Sequence, residues 1–167
     1  MGKFKFATQI TVMDMYRFQL RHSYLCVSGF IAILISLACF VILFFTHDDN
    51  LYTSNTLIFL GGMLFTVIQP FMLLWKSYKI IALTPTFRAP LNYEVDEEGV
   101  HVSQNEETAD LPWENVIKVI ETKTQLVIYN SPKNGFILPK KQIGKEVDIN
   151  ELKNFIKENV PDFCIVK

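Results

Sequence analysis

Three histidines, three cysteines and two acidic groups are the residues of this chain whose types suggest chemistry. His22 precedes a long apolar run, His47 lies between two such runs, and His101 sits in an alternating segment of the last third. A metal or catalytic centre needs its groups to converge, and these three fall in three regions. Cys26 and Cys39 lie on one apolar run, 13 residues apart; on a helix that is ~20 Å, too far for a disulfide. Cys164, within Phe163-Cys164-Ile165-Val166, reads as a small packed residue rather than a nucleophile. Asp96-Glu97-Glu98 and Glu106-Glu107 occupy turn sequences and read as solvated charges without the spaced ligand loop of a calcium site. No glycine-rich phosphate loop is present. The expectation is a protein without catalysis, metal or cofactor.

One basic group suggests binding. Lys133, Lys140, Lys141 and Lys145 cluster around the last hairpin and the loop after it. Facing a bilayer, each would contribute ~1 kcal/mol of attraction to anionic lipid. Against this, residues 76–167 carry 12 Lys and Arg against 14 Asp and Glu, a net of −2, which favours an ordinary solvated rim. The same balance argues against nucleic acid, which needs a concentrated positive field. Trp113 stands at a strand corner, where its ring is expected to fill the core.

The elements that must position these groups are dominated by two apolar runs. Tyr24–Phe45 has 22 residues and no charge; as a helix it would span ~33 Å, enough for a hydrocarbon core of ~30 Å. The second run is charge-free from Leu51 to Trp75, with its helix core at about 56–75 and Gln69-Pro70 expected to kink it. The first run stays apolar beyond Cys39, which counts against signal-peptide cleavage and against lipidation there. Lys3, Lys5, Arg17 and Arg21 precede the first run, Lys76, Lys79 and Arg88 follow the second, and residues 46–50 between them hold no Lys or Arg. Positive flanks stay inside, so both termini are expected in the cytosol of a multi-pass cell-membrane protein. Ser28, Ala32 and Ser36 on one run and Gly61, Gly62 and Thr66 on the other offer a small-residue seam, better suited to packing within the hairpin than to a homo-oligomer.

Outside the hairpin the pattern changes. Residues 3–13, KFKFATQITVM, alternate as a strand does. A lone strand needs a sheet, which only the C-terminal part can supply. Asp14 reads as the cap of the helix leading into the membrane. After a helix extension and linker over 76–90, short strands follow: 91–95, 100–104, 108–111, 116–122, 125–129 and 136–138, with a corner at 112–115. Asp148-Ile149-Asn150-Glu151 has capping-box spacing and opens an amphipathic helix to Val160. Phe163–Val166 either docks as a terminal strand or trails. The organisation read from this is a front strand and interfacial helix (1–23), a transmembrane hairpin (24–75), the linker (76–90) and a cytosolic domain (91–167). The fold class is an α+β membrane protein: two membrane helices plus a small, bent antiparallel sheet closed by a C-terminal helix, a pleckstrin-homology-like plan.

Three stretches carry a resemblance: DEEGVHV from Asp96, LPWENVIKVIET around Trp113, and FILPKK over Phe136–Lys141. Together with the paired apolar runs and the preceding strand, they resemble the YcxB-like bacterial membrane proteins. The resemblance implies a membrane-anchored pleckstrin-homology-like domain and no particular activity. The functional expectation is a non-catalytic anchored binding or scaffold protein for a protein or peptide partner, homo-oligomers included. The alternative is a membrane-linked sensor that reads anionic lipid through the four lysines.

Overall fold

The computed structural model describes residues 4–45, 52–105, 107–132, 134–160 and 163–165. The chain forms two compact units, Met1–Met15 with Ile80–Lys167, and Tyr16–Lys79.

Strand β1, Phe4–Thr8, buries Phe4, Phe6 and Thr8 and turns Lys5 outward. The alternation in the sequence continues to Met13, but the strand does not. Helix α1, Val12–Tyr24, begins where Thr11 and Asp14 cap each other: Asp14 N–H donates to Thr11 Oγ1 and Thr11 N–H to Asp14 Oδ2, each at 3.2 Å. Asp14 is therefore the third helical residue of a capping box and Thr11 the cap, correcting the expectation that Asp14 itself caps.

The first apolar run is not one helix from Tyr24. The chain breaks at Leu25-Cys26 and resumes as α2, Val27–Phe45. Cys26 Sγ accepts the Gly29 N–H at 3.4 Å while its thiol donates to the Ser23 carbonyl at 3.1 Å. A Cβ at Gly29 would stand 1.9 Å from the Ser23 carbonyl oxygen, so only glycine allows this close turn. The second run forms α3, Tyr52–Met63, then a wider π turn over Leu64–Ile68, then α4, Gln69–Leu83. A π turn thus immediately precedes Gln69-Pro70, where the sequence led to the expectation of a kink. Gln69 N–H reaches back five residues to Leu64 O, and Pro70, having no N–H, leaves the next carbonyl, Phe65, without a ladder partner. The Tyr24 hydroxyl donates to it at 2.6 Å. Ser36, fully buried on α2, donates to the Gly62 carbonyl of α3, as does Thr66 at 2.9 Å. The small residues at this crossing thus pack inside the hairpin, while Ser28 is exposed. Val27–Phe45 and Ser54–Leu83 are long and apolar enough to span a membrane, and only 11% and 6% of their apolar windows are buried.

The other unit contains two four-stranded sheets. The first orders β1 with β2 (Leu91–Val95), β3 (Gly99–Gln104) and β4 (Glu107–Pro112), all antiparallel. β1 pairs with β2 from Phe4↔Val95 to Thr8↔Leu91. A 3-10 turn at Trp113–Asn115 separates this sheet from the second, so the hydrogen bonding divides where the sequence pattern suggests one bent sheet. The second sheet holds β5 (Lys118–Glu121), β6 (Gln125–Tyr129) and β7 (Gly135–Pro139). All of β6 is buried, as befits a central strand. A short helix α5, Lys140–Ile143, follows β7; four residues are too few to show a period in the sequence. Helix α6, Ile149–Asn159, is capped by Asp148, whose side chain accepts the Asn150 N–H at 2.7 Å. It buries Leu152, Phe155 and Ile156. Phe155 meets Phe4 of the first sheet at 5.5 Å and Trp113 at 6.4 Å between ring centroids. Strand β8, Phe163–Ile165, then docks parallel to β5.

A buried ion cluster fixes both C-terminal helices to the second sheet. Glu121 on β5 has a side chain 8% exposed, and its Oε1 accepts from Lys140 Nζ of α5 at 2.5 Å and Lys153 Nζ of α6 at 2.8 Å. Burial alone would push the Glu121 carboxyl up, but the two ammonium groups outweigh it and hold the pKa below its ordinary value. Removing one member of such a cluster strands the other charges. Glu121→Ala should lower the unfolding free energy by about 3 kcal/mol, read by urea denaturation of the full chain in detergent. Replacing Lys140 and Lys153 by Met in the same variant should restore most of the loss.

Candidate functional site

The outer face of the first sheet carries the most organised polar surface among the described residues. In an antiparallel sheet, directly opposed residues share a face and neighbour one another. The register sets Lys5 opposite Glu94, Glu94 opposite His101, and His101 opposite Asp110. One row of side chains, alternating basic and acidic, thus crosses all four strands. Lys5 Nζ meets Glu94 Oε1 at 2.9 Å, and His101 Nδ1 meets Asp110 Oδ1 at 2.6 Å. The other ring nitrogen of His101 meets Asp96 Oδ1 at 3.3 Å. Beside this row lies a second of short residues, Ala7, Asn92, Ser103 and Thr108. A groove of about 320 Å³ lies over these rows at the β1 side, walled by Lys5, Glu94 and Glu146.

Asp96 locks the turn that presents His101. Its Oδ1 accepts the N–H groups of Glu98 at 2.9 Å and Gly99 at 3.2 Å, the side-chain turn that Asp favours. A Cβ at Gly99 would lie 2.2 Å from the Leu111 carbonyl oxygen, so the close approach of β3 to β4 requires glycine. The Asp96 carbonyl in turn accepts the Trp113 indole N–H at 2.9 Å. Asp96 is therefore held and partly buried, unlike the solvated turn acid its sequence suggests. Its own burial would raise its pKa, but the two N–H groups and His101 together bring it below the ordinary value.

The edge of the same sheet is closed by side chains. Gln9 N–H donates to Gln142 Oε1 at 2.6 Å, and Gln142 Nε2 donates to the Gln9 carbonyl at 2.8 Å. Ala7 N–H donates to Glu146 Oε2 at 2.9 Å. One amide side chain and one carboxylate thus occupy backbone groups that an exposed edge strand leaves open.

The basic cluster read from the sequence does not stay together. Lys140 turns inward to Glu121, with its side chain 16% exposed. Lys141 and Lys145 are exposed, and Lys133 lies outside the described residues. Trp113 is 8% exposed and belongs to the core. His22 lies exposed on α1 and His101 half-buried on β3, while His47 is outside the described residues. Among the described residues no group of three His, Cys, Asp or Glu side chains is arranged to hold a metal ion. The charge row escapes sequence reading because register is a property of pairing. Only the outward position of Lys5, Glu94 and His101 within their alternating strands signals it.

Residues 95–156 match the family model of the YcxB-like proteins. Over this stretch the chain is similar to that family. The YcxB-like stretch contains all three quoted motifs, and with them Asp96, His101, Asp110, Trp113, Glu121, Lys140 and Lys153. It includes neither β1 nor the apolar helices, so it is narrower than the resemblance drawn from the whole layout. No curated protein and no solved structure shows a significant match.

Within the YcxB-like stretch, His101 gives a pH dependence with a definite sign. The Asp110 carboxylate, and after partial burial acting the other way, Asp96, raise its pKa above 6.5. The folded state therefore holds this proton more tightly than the unfolded chain. The resulting stability is complete below the unfolded value and is lost as pH rises through the folded one. Denaturation midpoints of the full chain should fall across that interval, and His101→Gln should flatten the fall. An unchanged slope in the variant would remove His101 as its cause.

Proposed function

We propose that this is a non-catalytic, membrane-anchored binding protein whose sheet unit, of pleckstrin-homology-like plan, faces the cytosol and holds a protein partner. The observation that carries the reading is topological: the two apolar helices are inserted between β1 and β2, adjacent strands of one sheet. An anchor placed at a chain terminus would leave the domain's fold independent of it. Here the sheet is completed by a strand from the far side of the insertion. The two sheets, the corner at Trp113 and the closing helix α6 support the pleckstrin-homology-like plan. The distribution of Lys and Arg around the hairpin supports the cytosolic placement of both termini.

Reading anionic lipid through the basic cluster is the weaker alternative. With Lys140 paired inward, Lys141 and Lys145 are the described members left on the surface. Two lysines would supply ~2 kcal/mol near an anionic leaflet, short of stable attachment and redundant beside two apolar spans.

The topology is tested with an impermeant thiol reagent on intact cells, in a chain with Cys26 and Cys39 replaced by Ala. A Cys placed at His47 should be labelled and Cys164 protected; the opposite pattern overturns the orientation. The binding role predicts a complex when the full chain is gently cross-linked in membranes before extraction. A chain that stays monomeric and retains no other protein would overturn it.

A further inference from the structure

The charge row on the outer face of the first sheet has a symmetry that points to its partner. Read from β1 to β4 it is Lys5, Glu94, His101, Asp110: basic, acidic, basic, acidic. Turned by a two-fold axis that lies between two such faces, parallel to the strands, the row meets its own complement. Lys5 then faces Asp110 of a second copy and Glu94 faces its His101, and the reverse pairs follow. A two-fold interface requires this kind of self-complementarity. We propose that the outer face of the first sheet is a docking surface for a second copy of this chain.

The second row favours the same occupant. Ala7, Asn92, Ser103 and Thr108 carry no charge, and under the same two-fold Asn92 faces Ser103 of the second copy, where the two can exchange hydrogen bonds, while Thr108 faces Ala7. The row is already paired before docking: Glu94 meets Lys5, and His101 meets both Asp110 and Asp96. Fixed charges lose little freedom on association. The groups facing His101 are Glu94 from β2, Asp96 from the β2–β3 turn and Asp110 from β4. This acidic surround favours the protonated, cationic ring, as the alternating pattern demands.

The face is small. Strands ~4.8 Å apart make the row about 14 Å long, and so small a patch falls well below the ~800 Å² per partner of a stable soluble complex. The docking therefore relies on confinement of both copies to one membrane, which raises their effective concentration. In this the inference rests on the anchored-protein reading.

A zero-length carbodiimide cross-linker distinguishes the two. It joins a lysine to a carboxylate in direct contact. Within one copy, Lys5 and Asp110 lie at opposite ends of the row with Glu94 and His101 between them. A Lys5–Asp110 peptide found by mass spectrometry in the dimer band therefore reports contact between copies. The full chain is reconstituted in vesicles at mildly acidic pH, and insertion is checked by flotation under carbonate wash. The expected result is an inserted protein giving a covalent dimer through Lys5 and Asp110. The double variant Lys5→Glu/Glu94→Lys keeps the pair within each copy but makes the row acidic, basic, basic, acidic, which opposes like charges across the two-fold. It should fold and insert normally and lose the dimer several-fold. His101→Gln should lower the yield in the same direction. Inserted protein without the Lys5–Asp110 link, or with an equal yield from the double variant, overturns the docking surface. Failure to insert overturns the anchored reading instead.

Discussion

The pairing of β1 with β2 is the contact on which the rest of the structure depends. Five residue pairs, from Phe4↔Val95 to Thr8↔Leu91, join segments separated by the whole apolar hairpin. A flexible loop of that length would cost about 4 kcal/mol in closure entropy beyond a constant. Two effects offset it. Phe4, Phe6 and Ile10 become buried, each large apolar side chain contributing ~1.5–3 kcal/mol. Most of the intervening chain is also held in helices, and Ser36 of α2 bonds to the Gly62 carbonyl of α3. Ordered helices between the two strands lower the closure cost below that of a flexible loop. Glu146 and Gln142 then bond the backbone of Ala7 and Gln9 on the side of β1 away from β2, so the strand is held from both sides.

The sheet unit uses charge in two opposite ways. At Glu121 the carboxylate is buried and its two lysines are largely withdrawn from water. Such a cluster is costly to break and contributes little to recognition. At His101 the charges remain accessible, with Asp110 65% exposed, and a pair so exposed adds little to stability. What the exposed row offers is pattern, since position and sign are fixed by register and by the Asp96 turn. The family stretch holds both arrangements. The surface row, however, is completed by Lys5 and Glu94, which lie outside that stretch.

Much of the fold could be read from the sequence because its signals are local. Leu91–Val95 and Gln125–Tyr129 coincide with the observed strands, and α6 follows its apolar stripe and Asp148 cap. The misreadings share a cause. Continued alternation past Thr8 hid the capping box in which Thr11 ends one period and begins another. The uncharged run from Tyr24 hid a break made by Cys26, Ser23 and Gly29. Pro70 announced a disturbance in its helix, but a π turn depends on where the freed carbonyl finds a donor. The surface row and the inward turn of Lys140 were least legible, because each joins residues distant in sequence. Lys140 belonged to a basic cluster only by proximity along the chain; β5 brings Glu121 to it and removes it from that cluster.

The hairpin's polar groups support its reading as an anchor. In an apolar surround, an unmet backbone carbonyl or side-chain polar group costs several kcal/mol. Tyr24 answers the carbonyl that Pro70 leaves open, Gln69 Nε2 donates to Ser23 Oγ at 2.7 Å, and Ser36 and Thr66 both donate to Gly62. These donors all find acceptors within the same unit, although Gln69 Oε1 is buried without a hydrogen-bond partner. The surface left outside is apolar, with Leu34, Val41, Phe59 and Phe71 among its exposed side chains. Lipid can cover such a surface without reading it. The chemistry available for recognition then lies on the sheet, where side chains are polar, held in register and open to solvent.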